Sequence, residues 1–458
     1  MNELSPHQAQ LSLWRVIIIG IAYMTPMTVF DTFGIVSGVT NGRVPMAYLL
    51  ALGAIMLTAF SYSRLAVIFP KSGSAYSYTN QVCGKISGFI VGWGTLLDYL
   101  LLPMINSLLS GIYLKALFPG IPAWMLIILY TALVTFINCR NIKFLANLNA
   151  LFVGIPLILM VYFIYLVIHA LVFKYDVSHV MTLKPLLNGD NSFIPLVSGA
   201  AILCFSFLGF DAVTTLANET FDARKNIPRA IIATVLTGGI IFFVSAWFIQ
   251  LYYPNNSPFK DPIEAMPEIV LYVGGKLFQS IFLLAILINT FASALASHAS
   301  AARLIYIMGI DGVIPGKKLQ YIHPHYRSPI VCVLLVGILS LNAIFFRLDT
   351  AVSLISFGAM VAFSAVNISV FIWFVCYKKE FSTLKQILKN IICPSLGMFS
   401  VIVMWSNLKE DALLLGGFWT ALGITYILYC KVRKRPLFKR HDLSLTSGTD
   451  IHVAKSTL

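Results

Sequence analysis

Residues 20–34 read Gly20-Ile-Ala-Tyr-Met-Thr-Pro-Met-Thr-Val-Phe-Asp-Thr-Phe-Gly34, and residues 204–215 read Cys204-Phe-Ser-Phe-Leu-Gly-Phe-Asp-Ala-Val-Thr-Thr215. Each stretch is an apolar helix with a fault in its middle. Pro26 removes an N–H donor and clashes with the turn before it, and the flanking Thr25 and Thr28 are placed to serve the freed backbone groups. Ser206 and Gly209 weaken the second stretch. Both faults lead into a Phe-Asp pair, Phe30-Asp31 and Phe210-Asp211, 180 residues apart. Interrupted spans at matching places in two halves point to an inverted repeat with a binding site at mid-membrane. Two unrelated packing kinks are the alternative.

The rest of the chain fits a membrane setting. Of its 458 residues, 58% are hydrophobic and 11% charged, and the mean hydropathy is +0.84. Soluble domains carry about 25% charged residues, so soluble-enzyme, disordered and disulfide-scaffold classes are excluded. Twelve apolar runs of bilayer length are expected at 14–39, 45–69, 87–114, 122–138, 145–173, 193–217, 230–252, 276–307, 329–346, 351–377, 390–407 and 412–430. The first lacks a small-residue cleavage site and reads as a retained span. Five spans then separate the two faults.

The net charge of +14 reflects basic loops on one side of the membrane and not nucleic acid binding. With both termini cytoplasmic, 24 of the 32 Lys and Arg residues fall inside and 8 outside, as the positive-inside rule requires. The domains expected are a cytoplasmic N-terminus (1–13), a first five-helix repeat (14–173), a second (193–377), two further helices (390–430) and a basic cytoplasmic tail (431–458), suited to anionic lipid. Seven scattered cysteines without a C-x-x-C give neither a disulfide framework nor a metal site.

Several segments carry a family resemblance: residues 22–38, Gly-Ser-Ala-Tyr-Ser-Tyr (73–78), Gly-Trp-Gly-Thr-Leu-Leu-Asp-Tyr-Leu (92–100), 204–216, Leu-Tyr-Val-Gly-Gly-Lys-Leu-Phe-Gln (271–279) and Ala-Ser-His-Ala-Ser (296–300). In this order the chain resembles the amino acid–polyamine–organocation superfamily and, more narrowly, bacterial putrescine importers of the PuuP type. The resemblance implies an all-α integral membrane fold of about twelve spans. That fold is a leucine-transporter-like five-plus-five inverted repeat, with discontinuous helices 1 and 6 and two extra C-terminal helices. It also implies proton-driven uptake across the inner membrane. Two positions depart from the pattern. Asn218-Glu219 stands where such importers have two adjacent acids, and Pro156 lies near the fifth-span lysine of some proton-coupled relatives.

Relatives that carry amino acids open the first-span break with glycines, whose amides hold the substrate carboxylate. Thr25-Pro26-Met27-Thr28 offers no such nest, because Pro26 has no N–H and its neighbours crowd the approach. Unwound carbonyls and negative helix ends suit an ammonium instead. An ionised residue in the hydrocarbon usually faces a cavity with a function. Asp98, beside Tyr99, is the first candidate counter-charge; Asp211 is the second and Asp31 the third. Each reads alternatively as an acid that satisfies broken backbone. Tyr23, Tyr99, Phe207 and Phe210, with Gly209 at the break, complete a candidate substrate set able to hold an ammonium by cation–π contact, with packing as the alternative. Glu219 is a proton site, a gate or the start of a charged loop, and His298 is a proton relay or a hydrogen-bonded structural residue. There is no catalytic set, phosphate loop or metal site, and no cofactor is implied. Two functional readings stand: import of putrescine or a related polyamine, and an amino-acid carrier or amino acid/amine exchanger of the same fold. The oligomeric state is not legible.

Overall fold

The computed structural model describes residues 11–70, 74–140, 142–174, 182–187, 192–253, 265–314, 316–326, 328–346, 348–408 and 410–433. Most of the expected N-terminal segment 1–13 and of the basic tail 431–458 lies outside them. The helices run α1 (Leu13–Met24), α2 (Thr28–Thr40), α3 (Val44–Ile68), α4 (Ala75–Cys83), α5 (Lys85–Leu117), α6 (Ala123–Asn138), α7 (Ile142–Lys174) and the short α8 (Lys184–Leu187). There follow α9 (Ile194–Leu203), α10 (Ala223–Tyr252), α11 (Ala265–Ile310), α12 (Ile330–Ser340), α13 (Leu348–Phe371), the short α14 (Leu384–Ile387), α15 (Cys393–Ser406) and α16 (Glu410–Val432). Among the described residues nine helices are long and apolar enough to cross a bilayer, or up to ten with the bent pair α1 and α2. The apolar helices Ala123–Asn138 and Ile330–Ile344 are shorter and lie on the fourth and ninth expected runs.

Both faults in the sequence are breaks. α1 ends at Met24, Thr25 turns left-handed (φ 49°), and α2 leaves at 45°. Thr25 and Thr28 bond each other through their hydroxyls, where the sequence suggests service to freed backbone. The carbonyls have other partners: the Thr25 amide caps Ala22 (3.3 Å) and Ser293 of α11 donates to Tyr23 (3.2 Å). In the sixth span α9 passes into a 3-10 turn (Cys204–Phe207), and Leu208 is extended. Gly209 adopts φ 105°, and the chain resumes as a 3-10 helix over Asp211–Glu219, where an α-helix is the ordinary expectation. A further break falls inside α11 at Gly275 (φ 75°), at the expected start of the eighth span.

α5 crosses the centre of the bundle, packed on α11 and α13. Gly358 allows α13 to approach, since a Cβ there would lie 2.7 Å from the Asp98 amide nitrogen. Trp93 of α5 and Trp419 of α16, a helix that also packs on α13, stack at 4.6 Å. Each indole donates to the other's carbonyl at 2.8 Å, which satisfies two part-buried donors at once.

The two breaks meet where the ring of Tyr23 covers Gly209. A Cβ at Gly209 would fall 1.8 Å from Tyr23 Cδ1, so both the left-handed backbone and the contact exclude a side chain. Gly209→Ala therefore combines backbone strain with overpacking, which by itself costs about 1–3 kcal/mol. The expected result is a lower unfolding temperature in detergent. An unchanged midpoint would show that the two breaks do not press on each other.

Candidate functional site

The breaks place Tyr23 of α1, Asp98 and Tyr99 of α5, and Asp211 of the sixth span together, each at most 2% exposed. The Tyr23 and Tyr99 rings meet edge to face at 6.3 Å. Tyr99 donates its hydroxyl to Asp211 Oδ2 (3.0 Å). Asp211 opens its 3-10 segment, where the free amide end of the helix favours a negative charge. Asp98 sits inside a continuous helix and lacks that support. The two carboxyls interact electrostatically with each other and with the hydroxyls of Tyr23 and Tyr62.

What distinguishes this cluster is its unmet hydrogen-bonding capacity. Asp98 Oδ1, Asp211 Oδ1 and the hydroxyls of Tyr23 and Tyr62 are buried with no hydrogen-bond partner. Among the described residues neither acid is in an ion pair, whereas Asp222 pairs with Lys225 and Glu219 with Arg303. Buried polar groups are ordinarily paired, and an uncompensated buried charge is costly. The arrangement is therefore suited to a ligand that brings positive charge and N–H donors.

Tyr62 of α3 and Phe363 of α13 belong to this site and are missing from the sequence reading. Tyr62 stands edge-on to Phe210 (5.6 Å) and Phe363 (6.2 Å), and Phe210 lies 5.3 Å from Phe363. Aromatic walls of this kind face an ammonium well. Phe207 instead packs edge-on to Phe242 of α10 at 5.4 Å. Asn106 is a second omission: its side-chain amide donates to Ser293 Oγ (3.0 Å), which in turn holds the Tyr23 carbonyl. A polar side chain inside an apolar span is the signal that marks Asn106, although it carries no charge.

At the first break, the Thr28 amide donates to Thr25 O (2.9 Å) and the Phe30 amide to Met27 O (3.0 Å). These two amides and Pro26 therefore offer nothing to an incoming carboxylate. Asp31 stands apart from the other acids. It is half-buried, and its electrostatic neighbours are Tyr48 and Tyr113. Tyr113 lies fifteen residues beyond Asp98 on α5, about 22 Å along the axis at 1.5 Å per residue.

His298 is buried, with Nε2 2.9 Å from the Val333 carbonyl. Glu219 forms a latch at the end of the bundle where α1 begins. Arg303 of α11 grips its two carboxylate oxygens at 2.9 and 3.0 Å, a bidentate geometry that is strong and directional. Beside it Leu11 donates to Glu219 O and Phe221 donates to Leu11 O, both at 3.0 Å. First helix, sixth helix and α11 are thereby tied at this end. No group of metal-binding side chains is present among the described residues.

Residues 15–406 match the amino acid permease family. Over 417 residues, 91% of this chain and 92% of the relative, the chain is 45% identical to the low-affinity putrescine importer PlaP of Escherichia coli (strain K12). It is 25% identical, over 92% of its length and 93% of the relative's, to a methylthioribose transporter of Bacillus subtilis (strain 168). To the branched-chain amino acid permease BcaP of the same organism it is 23% identical, over the same shares.

Replacing Arg303 by Gln leaves Glu219 without its partner and should loosen the latch. Losing about 1.4 kcal/mol corresponds to tenfold in a local opening equilibrium. Hydrogen exchange at Leu11 and Phe221 is expected to quicken by that factor, with α5 unaffected. Unaltered exchange at both amides would show that the ion pair does not hold this end.

Proposed function

The chain belongs to the amino acid permease family, and we propose that it is a secondary active carrier importing putrescine or a closely related polyamine. The observation that carries this reading is the pair of buried carboxyls, Asp98 and Asp211. Each has an oxygen without a hydrogen bond, no basic residue is paired with either among the described residues, and tyrosine hydroxyls surround both. One ammonium leaves one of two acids uncompensated; a diamine answers both. The 45% identity to a putrescine importer over nearly the whole chain supports the same substrate.

In this reading Asp98 receives one ammonium and Asp211, held by Tyr99, receives the other, with Tyr23, Tyr62 and Phe210 around the carbon chain. The carrier works by alternating access in a bacterial inner membrane, with both termini cytoplasmic. The Glu219–Arg303 latch is its inner gate, closed in this conformation. Uptake is by proton symport. Glu219 links the proton to the gate, because neutralising it removes the charge that holds Arg303. His298 serves structure, and Asp31 acts outside the central site.

Asp98→Asn keeps the shape and removes the charge. Breaking one partner of a buried charge pair costs about 3–5 kcal/mol, so putrescine affinity should fall at least about a hundredfold. Equilibrium binding to purified, monodisperse protein is the measurement, with Asp98→Glu retaining part of the affinity. Wild-type binding by the Asn variant would remove Asp98 from the site.

Substrate class and drive are tested together in proteoliposomes with labelled putrescine. An inwardly directed proton gradient is expected to drive accumulation and a sodium gradient at fixed pH is not. Ornithine, which adds an α-carboxylate to the same diamine, should compete poorly. Equal competition by ornithine would favour the amino-acid carrier, and sodium-driven uptake would overturn proton symport.

A further inference from the structure

A cavity of about 20 Å³ opens where the end of α6, the start of α7, the C-terminal part of α11 and the start of α12 meet. That volume admits one water-sized group. Its lining includes Asn138, Arg140, Arg303, Ser328 and Pro329. Two guanidiniums thus face it, and two helices begin at its rim, α7 at Ile142 and α12 at Ile330. α12 has no side-chain cap; its first amide turns back to Ser328 O (2.9 Å), and the positive end of the helix dipole favours an anion. Of the two arginines, Arg303 is shared with Glu219, and Arg140 has no acidic partner among the described residues. Arg140 is held ready by stacking over Phe136 (4.8 Å) and Tyr326 (5.2 Å) and by donating to the Tyr326 hydroxyl (3.3 Å).

An independent feature also points to a ligand. Asn138 is 4% exposed and donates its amide to Val134 O (3.0 Å), yet its Oδ1 is buried with no partner. The cavity therefore offers several donors suited to an anion and one acceptor that asks for a hydroxyl. Its surroundings face lipid: Phe136 and Phe144, on either side of Arg140 in the chain, are 60% and 51% exposed.

We propose that this cavity binds the headgroup of an anionic, hydroxyl-bearing phospholipid of the phosphatidylglycerol class. A glycerol hydroxyl is the one group that enters the cavity, where it donates to Asn138 Oδ1, and the phosphate stays at its mouth against Arg140 and Arg303. Basic pockets between spans on the cytoplasmic side take lipid headgroups by this chemistry. Because Arg303 serves both partners, a bound phosphate competes with Glu219 for it and loosens the latch, so the membrane's anionic lipid content sets how readily this end opens.

The test is the unfolding temperature of the full-length purified protein, titrated with short-chain phosphatidylglycerol, phosphatidylcholine or inorganic phosphate. No transport substrate is present, so the outcome is independent of the reading of the central site. The expected result is a saturable rise with phosphatidylglycerol alone. In Arg140→Gln the half-saturating concentration should rise at least tenfold, whereas Arg140→Lys should retain part of the response. Asn138→Ala should reduce the preference for phosphatidylglycerol over short-chain phosphatidic acid. If phosphatidylcholine acts equally, or Arg140→Gln responds as wild type, the site is not there. A matching rise with inorganic phosphate would overturn the lipid assignment.

Discussion

The Tyr23 ring lying across Gly209 is the contact on which the centre of this protein depends. Two apolar spans break in the middle of their length, and each break frees backbone groups that hydrocarbon cannot satisfy. Bringing the stops together allows the freed groups to be served from a few neighbouring helices. Ser293 takes the Tyr23 carbonyl, Asn106 orients Ser293, and the Thr25 amide turns back on Ala22. Gly209 is the residue that makes the meeting possible, because its backbone is left-handed and a Cβ would occupy the space of the ring. The polar content of α5 and α11 near this level follows from the same need.

Once the breaks are joined, the acids are fixed in relation to one another. Asp211 begins its 3-10 segment and is supported by Tyr99 and a helix end, whereas Asp98 has Gly358 of α13 against its backbone. Two carboxyls that sense each other in a water-poor interior repel strongly. They are tolerable together when protons or a cation compensate them, and this electrostatic debt is the basis of the proposed diamine site.

The first helix, the sixth and α11 also meet at the end of the bundle where α1 begins, and the requirement there is closure. Leu11, Glu219, Phe221 and Arg303 tie the first helix, the sixth and α11, and Tyr76 of α4 donates to Asp311 at 2.6 Å. These are directional bonds, and their loss is a discrete event. Broken helices at the centre and a latch at one end give the chain two places where a small chemical change alters backbone geometry. In the proposed carrier, substrate acts at one and protons or lipid at the other.

The sequence alone determined the membrane environment, most span positions and the two breaks, because hydropathy, Pro26 and Gly209 act locally along the chain. It also supplied the short roster of intramembrane acids, since each is conspicuous in an apolar run. Which acids share a site was decided only by the tertiary structure. Asp98 and Asp211 come within electrostatic reach of each other although 113 residues separate them, while Asp31, one turn past a break, keeps company with Tyr48 and Tyr113. Tyr62, Asn106, Ser293 and the Glu219–Arg303 pair were likewise invisible as partners. Periodicity fixes where a side chain lies on its own helix, but the rotation and depth of one helix against another come from packing among helices distant in sequence.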